Sequence, residues 1–340
     1  MDPLVTIAIP TYDRLHYLKE AVASALGQTY RNIEVLISDD GPEESIRRWS
    51  EAAVANEPQI RYRRNARTLG LAGNWNALAD AARGEFIVII GDDDRLLPAF
   101  VSKLITAIQP NCQVAFANHY LIDEQGHRLE AETARHTRFY RRDRLPAGKL
   151  SAPSAVVWQN SVPMSAALMR TSDVRRLRFK EDLNTPEIEF FIRLAQEGGS
   201  FVFSPEYLSE YRVHGKSETS AGLWSEKLAK YLLPISVSPE VESYKREFMS
   251  PLLTNAVGRC LQQGDHRSAR AFIRSEYYPR LRWNGSIMSN GSTAQAGDSE
   301  VGRSKQVSTR FFIVGAQKVC AALPAWLGCP AYRLLYRMKH

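Results

Sequence analysis

Each of three apolar runs in the first hundred residues ends in carboxylates. Asp13 follows the run at 5–9, Asp39 and Asp40 follow 33–37, and Asp92, Asp93 and Asp94 follow 86–90. If these runs are parallel strands, the acids converge beyond the strands' carboxyl ends, where open α/β sheets bind their ligands. No lysine sits among them to neutralise them. Hard oxygen donors with open positions suit Mg²⁺ or Mn²⁺ bridging a diphosphate. The competing expectation is that the acids cap the helices that follow. His214, in Tyr211-Arg212-Val213-His214, either reaches the diphosphate or metal or is a loop histidine fixed by packing. The arginines Arg135, Arg138, Arg141, Arg142 and Arg144 could receive an anionic acceptor. A solvated charge run is the plainer expectation for them.

The elements that must hold these residues alternate. The run at 5–9, closed by Pro10, reads as a buried parallel strand, and Leu15, Leu18, Val22, Ala25 and Leu26 recur at helical spacing. Strands at 33–37, 60–62, 86–90 and 114–117 alternate with helices from about Glu43, at 73–82 and at 98–108. This order implies right-handed crossovers and a mainly parallel sheet with helices on both faces. Residues 124–152 are polar and arginine-rich, and are expected to be a loop or excursion. A strand at 166–169 and a helix at 186–196, ended by Gly198-Gly199, restore the pattern before a helical stretch at 223–280.

Composition bounds the class. The 340 residues are 44% apolar and 24% charged, ordinary for a globular chain of about two domains. With 20 glycines and 17 prolines, collagen-like and low-complexity classes are excluded. The four cysteines form no C-x-x-C pair, so neither a disulfide framework nor a zinc site is expected, and a reducing cytoplasm is the simpler location. Met1-Asp2-Pro3 opens no secretory leader. The net charge of +7 lies wholly after Glu300, where seven basic residues have no acidic company. A neutral body does not suggest a nucleic-acid partner. Residues 284–309 read as a flexible linker. Beyond them, Phe311, Phe312, Trp326 and Leu327 among basic residues suit an interfacial segment on an anionic membrane, peripheral at the inner face; Pro324, Pro330 and Lys318 argue against a spanning helix. The alternative is a C-terminal helix docked on protein.

No G-x-G-x-x-G follows the first strand and no Walker sequence occurs, which weakens dinucleotide and P-loop readings. The blocks that are present resemble glycosyltransferase family 2 over roughly residues 3–220. They are Val5 to Arg14, Ala25-Leu26-Gly27-Gln28-Thr29-Tyr30, Ile33 to Gly41, Asn65 to Asn76, Gly84-Glu85-Phe86-Ile87, the acids closed by Leu96-Leu97-Pro98, and the later Arg193-Leu194-Ala195 and Tyr211 to His214. The resemblance implies a GT-A fold, an α/β Rossmann-like nucleotide-binding domain at 1–222. A helical extension (223–283), the linker (284–309) and a basic amphipathic tail (310–340) would follow. It implies inverting transfer from a UDP- or dTDP-sugar to a hydroxyl of a glycan or lipid-linked acceptor, with Mn²⁺ or Mg²⁺, in cell-surface polysaccharide assembly. Asp39 would meet the pyrimidine N3–H. Pro10, Thr11 and Tyr12 would line the base and ribose pocket, with Asp13, Asn65, Gly70 and Asn74 in the nucleotide set. Asp92 would approach the ribose, and Asp93 would be the principal metal ligand, with Asp94 and His214 as further candidates.

Two departures from the family pattern matter. Gly91 stands where the family often has an acid, leaving Asp93 in the metal register. Counting back from Arg193 places the catalytic base at Glu187, preceded by Pro186 where an acid is usual, with Glu189 as its rival. Glu187 could instead be a first-turn acid favoured by the helix dipole. A sugar-phosphate nucleotidyltransferase would want a Gly-rich basic loop after the first strand, and Tyr12-Asp13-Arg14 offers none. A non-catalytic nucleotide-sugar binder is the remaining alternative.

Overall fold

The computed structural model describes residues 2–109, 111–214, 224–279 and 317. The expected linker, and all of the expected tail but Gln317, lie outside the described residues. β1 (Val5–Thr11), β2 (Ile33–Asp39), β3 (Ile60–Arg64) and β4 (Phe86–Ile89) alternate with α1 (Leu15–Leu26), α2 (Glu44–Asn56) and α3 (Gly70–Ala81). They pair in parallel in the order β3-β2-β1-β4. Val5, Ile7, Ile9, Val35, Ile37 and Val88 share one core with Leu18, Ala21 and Val22 of α1. Ala8, Leu36 and Ile87 are buried as well, so these strands are apolar throughout because both of their faces are covered. β1 does not stop at Pro10. Its pairing with β4 ends at Ala8, so the missing Pro10 N–H falls where the strand is an edge on that side. Register sets Thr11 beside Asp39.

The chain continues with β5 (Arg95–Leu96), α4 (Phe100–Ala107), β6 (Val114–Ile122), α5 (Glu130–Phe139), β7 (Gly148–Lys149), α6 (Pro153–Trp158), β8 (Ala167–Arg170), α7 (Thr171–Leu177), α8 (Pro186–Gln196) and β9 (Phe201–Arg212). The sheet runs on as β4-β8-β6-β9-β5, with β7 on β9. β8 lies antiparallel to both β4 and β6, while β6 and β9 are parallel. The first half is therefore parallel, as expected, and the whole sheet is mixed.

Residues 124–152 are not a loop. α5 buries Thr133 and Thr137 against the sheet: the Thr133 hydroxyl accepts the Leu121 N–H of β6, and the Thr137 hydroxyl lies 3.1 Å from the Tyr207 hydroxyl of β9. A helix that buries threonines shows no apolar period, so its sequence reads as loop. Among its arginines, Arg135, Arg138 and Arg144 are exposed, as a solvated run requires, and Arg141 is half-buried; Arg142 departs from that expectation, at 2% exposed.

Residues 224–236 and 245–279 form a second compact unit, whereas 237–244 cluster with the first. α9 (Ser225–Leu232), α10 (Pro239–Gln263) and α11 (His266–Arg274) supply it. Leu228, Leu232, Leu253, Val257, Leu261 and Phe272 are among its buried apolar residues, and Asp265 caps α11 by accepting the Ser268 N–H. No helix among the described residues is long and apolar enough to cross a membrane.

Candidate active site

The carboxyl ends of β1, β2 and β4 gather the acids, and each acid meets a different environment. Asp39 is fully buried. Its oxygens accept the Gly41 N–H (3.0 Å) and the Tyr62 hydroxyl (2.8 Å), and burial raises its pKa. Gly41 is obligatory, because a Cβ there would lie 1.6 Å from the Tyr12 carbonyl oxygen. Asp40 is a cap. Its carboxylate accepts the Leu69 and Gly70 N–H groups (both 2.8 Å) at the start of α3, where Gly70 adopts φ +76°. The Asn65 amide donates to Asp40 (2.8 Å) and to Asn74 (3.1 Å), and Asn74 in turn donates to the Ser38 carbonyl (3.0 Å). Asn65, Gly70 and Asn74 thus brace the strand end. Pro10 is half-buried, Tyr12 is half exposed, and Asp13 is exposed in the turn before α1.

The triple acid is held by arginines. Asp92 is buried, accepts the Thr11 hydroxyl (2.7 Å), and pairs with Arg14 (2.6 Å); burial leads in pushing its pKa to about 6. Arg14 also pairs with Asp93 (2.6 Å), so a cation does accompany these acids, contrary to the expectation that they stand unneutralised. His214 Nε2 lies 2.8 Å from the same Asp93 oxygen and 3.4 Å from Arg14 Nη1. Asp94 turns inward, and its Oδ1 accepts the Arg212 N–H (3.0 Å). Gly91 makes room for both carboxylates: a Cβ there would lie 2.5 Å from Asp93 Oδ1 and 3.3 Å from Asp94 Oδ2.

Asp93 and His214 are the pair that can hold a cation, one hard oxygen and one imidazole nitrogen. No group of three potential ligands occurs among the described residues. A pair suits Mg²⁺ or Mn²⁺, which take few protein ligands and complete their shell from phosphate and water. The residues present fit such an ion, provided that Arg14 yields its place on Asp93.

Beside the acids opens a cavity of about 250 Å³. Arg14, Gly91, Asp93 and Asp94 line it, with Trp75 of α3, Asn184, Thr185 and Glu187 at the start of α8, and His119, His136, Tyr140, Arg142 and Tyr211. Glu187 has no ion-pair partner among the described residues, and burial pushes its carboxyl to about 7. Its rival Glu189 is 4% exposed and locked in a two-pronged pair with Arg193 (2.8 Å for both bonds). β6 and β9 hold the far wall through an irregular register, in which β9 runs three residues ahead between Ala117↔Ser204 and His119↔Ser209. That shift sets Tyr211 against His119, with ring centroids 5.6 Å apart.

Several residues of this cavity escape a reading by motif. Arg14 is visible only as the residue after Asp13. His119, His136, Tyr140 and Arg142 carry no spacing signal, because α5 and β6 meet only in the fold.

The family model described as "Glycosyl transferase family 2" matches residues 6–159. A protein of Methanocaldococcus jannaschii named as an uncharacterized glycosyltransferase is 25% identical over 239 residues, spanning 67% of this chain and 77% of its own. A Campylobacter jejuni protein named GalNAc(5)-diNAcBac-PP-undecaprenol beta-1,3-glucosyltransferase is 29% identical over 125 residues, 36% of this chain and 40% of its own. Among solved structures, Staphylococcus aureus TarS 1–349 in complex with UDP-GlcNAc superposes with a TM-score of 0.58 at 14% identity, covering 78% of this chain and 82% of its own. The mannosyltransferase PcManGT of Pyrobaculum calidifontis, solved with GDP-Man and Mn²⁺, gives 0.57 at 12% identity over 98% of this chain and 87% of its own. The sequence blocks in order, the fold and these likenesses agree: the chain carries a glycosyltransferase family 2 domain over residues 6–159 and has a GT-A fold.

Proposed function

We propose that the cavity carries out inverting transfer of a sugar from UDP or dTDP to a hydroxyl acceptor. The carrying observation is that Glu187, a carboxyl with no cation partner among the described residues, lines the same cavity as Asp93 and Arg14. With its pKa near 7, Glu187 accepts a proton at neutral pH more readily than an ordinary carboxylate. As the acceptor oxygen bonds to the anomeric carbon, the bond from that carbon to the diphosphate breaks and the acceptor's proton passes to Glu187. Asp93 and His214 would hold Mn²⁺ or Mg²⁺, which stabilises the departing diphosphate as a Lewis acid. Arg14, released from Asp93, is placed to meet a phosphate oxygen.

In this reading Asp39 recognises the pyrimidine, Thr11 and Tyr12 flank the base and ribose, and Asp92 faces the ribose. Residues 1–222 act as the catalytic domain and 223–283 as its helical extension. The acceptor is a glycan or lipid-linked sugar in cell-surface polysaccharide assembly, reached from the cytoplasmic side with the tail at the membrane. The likeness to a glucosyltransferase named for an undecaprenol-linked acceptor supports that acceptor class.

Thermal shift with UDP, dTDP, GDP and ADP, with and without Mn²⁺, tests the donor. UDP or dTDP should raise the melting temperature and Mn²⁺ should enlarge the rise. Preference for a purine diphosphate, or indifference to all four, overturns the donor assignment. Turnover intact in Glu187→Gln removes Glu187 as the base, whereas donor binding by the wild-type chain without any turnover favours a non-catalytic nucleotide-sugar binder.

A further inference from the structure

Arg142 is a buried cation that lines the cavity without a carboxylate to balance it. Its Nε donates to Asn118 Oδ1 (3.1 Å), its Nη2 lies 3.0 Å from His136 Nδ1, and its guanidinium stands 5.4 Å from the Tyr140 ring centroid. These are neutral partners, and no acid pairs with it among the described residues. Desolvation accordingly lowers its pKa to about 10, far for an arginine. A guanidinium taken out of water without a counter-ion is costly unless something else supplies the charge.

His119, beside it, is a second and independent sign. It is 3% exposed, lines the same cavity, and neither ring nitrogen has a hydrogen-bond partner among the described residues. One nitrogen of a neutral imidazole must carry a proton, so a buried donor here lacks an acceptor. His136 is held neutral as well, its pKa pushed to about 4 by burial and by Arg142. It too lines the cavity, its Nδ1 facing Arg142. One wall therefore offers a fixed positive charge and an unsatisfied donor, and lacks anionic oxygen.

The acids of the cavity do not supply that oxygen. Asp93 is engaged by Arg14 and His214, and Asp94 by the Arg212 backbone. Burial raises the pKa of the Tyr140 phenol, Arg142 opposes the rise and Glu187 adds to it, but no ion pair joins Glu187 to Arg142 among the described residues. The charge on Arg142 remains for a ligand.

We propose that Arg142, with His119 and His136, forms an anion subsite that receives a carboxylate or phosphate ester carried by the acceptor. The inference rests on the glycosyltransferase reading of the cavity and deepens it by naming the acceptor's class: an acidic sugar or a phosphate-bearing one, as opposed to a neutral glycan. The wall sits beside Glu187, so the anionic group anchors the acceptor while its hydroxyl meets the base. An anion here completes the guanidinium's hydrogen bonds and gives His119 an acceptor. A neutral sugar leaves both unsatisfied, so the wall discriminates against it.

The test uses the full chain with UDP and Mn²⁺ present. Calorimetric titrations with methyl β-glucuronoside, glucose 6-phosphate and methyl β-glucoside separate carboxylate, phosphate and neutral probes. At least one charged probe should bind roughly 10- to 100-fold more tightly than the neutral one, the scale of a hydrogen bond to a charged group. Which charged probe binds identifies the source of the anion. Arg142→Gln should abolish the preference, Arg142→Lys should restore part of it, and His136→Asn, which leaves the buried charge in place, should reduce it several-fold. Equal binding of charged and neutral probes, no binding of either charged probe, or a preference unchanged in His136→Asn and in a folded Arg142→Gln, overturns the subsite. Failure of UDP itself to bind the wild-type chain strikes the donor reading instead, so the two ideas fall separately.

Discussion

The two walls of the cavity carry opposite imbalances of charge. At the carboxyl ends of β1 and β4, Asp92 and Asp93 share one arginine, Arg14, and a histidine completes the cluster. On the β6–α5 wall, Arg142 is buried among histidines, a tyrosine and an amide, with no acid partner among the described residues. The first wall is short of positive charge and suits a cation that brings a diphosphate. The second is short of negative charge and suits an anion. Glu187 is paired with neither, and burial raises its pKa against the opposing pull of its own backbone N–H. The difference teaches that the groups least compensated by the fold are those left for ligands.

The largest effect that would break this comparison lies at Glu187. Glu187→Gln should lower kcat by about 10²- to 10⁴-fold with a UDP-sugar panel read as UDP release, while nucleotide binding persists. Glu189→Gln should keep most of kcat yet destabilise the fold by about 1–3 kcal/mol, since it weakens the pair with Arg193. The reverse pattern would move the base to Glu189. With a base of pKa about 7, kcat/KM of the wild type should rise with pH up to about 7 and level off above it. Stability should show the opposite slope. The folded carboxyl holds its proton up to about 7 while the unfolded one releases it near 4.5, so stability falls as pH rises through that window. Glu187→Gln should flatten the activity profile and remove the part of the stability slope nearest pH 7, leaving the part that Asp92 contributes up to about pH 6, and be the more stable protein at pH 8 by differential scanning calorimetry.

Next in size is Asp93→Asn, which should weaken the Mn²⁺-dependent part of UDP binding by roughly 10- to 100-fold, with little change in UDP binding in EDTA. Binding unaltered by either treatment removes the metal from the donor wall. Arg14→Gln should sharpen the contrast. Losing the guanidinium leaves Asp92 buried and unbalanced, so the metal-free chain should lose about 1–3 kcal/mol by urea titration, while Mn²⁺ stabilises the variant more than the wild type. The smallest effect belongs to Asp40. Asp40→Ala removes a helix cap and should destabilise the chain by about 1 kcal/mol without touching the pH profile.

How much of this was legible in the sequence also divides between the walls. β1, β2 and β4 are buried on both faces, so their runs are uninterrupted, and the acids that follow them could be placed at the strand ends from sequence; which of them cap a helix, as Asp40 does, could not. Arg14 as counter-ion was not legible, because nothing in Tyr12-Asp13-Arg14 says that the side chain turns back onto Asp92 and Asp93. The other wall defeated pattern reading for a physical reason. α5 buries Thr133 and Thr137, and Arg142 breaks the rule that charged residues stay in water unless paired. A stretch that hides hydroxyls and a guanidinium has the composition of a loop. Glu187 was placed by its distance from Arg193, and only the structure distinguishes it from Glu189, through the pair that occupies the latter.

The irregular pairing of β6 with β9 has a consequence best put as parity. Side chains on a strand alternate between two faces, so an offset of three residues, being odd, exchanges the faces on which β9 presents everything beyond it. Tyr211 thereby lines the cavity, and Arg212 points the other way, bonding Glu20 of α1 (2.7 Å) and the Asp93 carbonyl (2.8 Å). An even offset would swap them, setting a third guanidinium in the cavity beside those of Arg14 and Arg142 and leaving Glu20 facing a phenol. Loop lengths elsewhere can drift one residue at a time. Between Ser204 and Ser209 the chain can change only by twos.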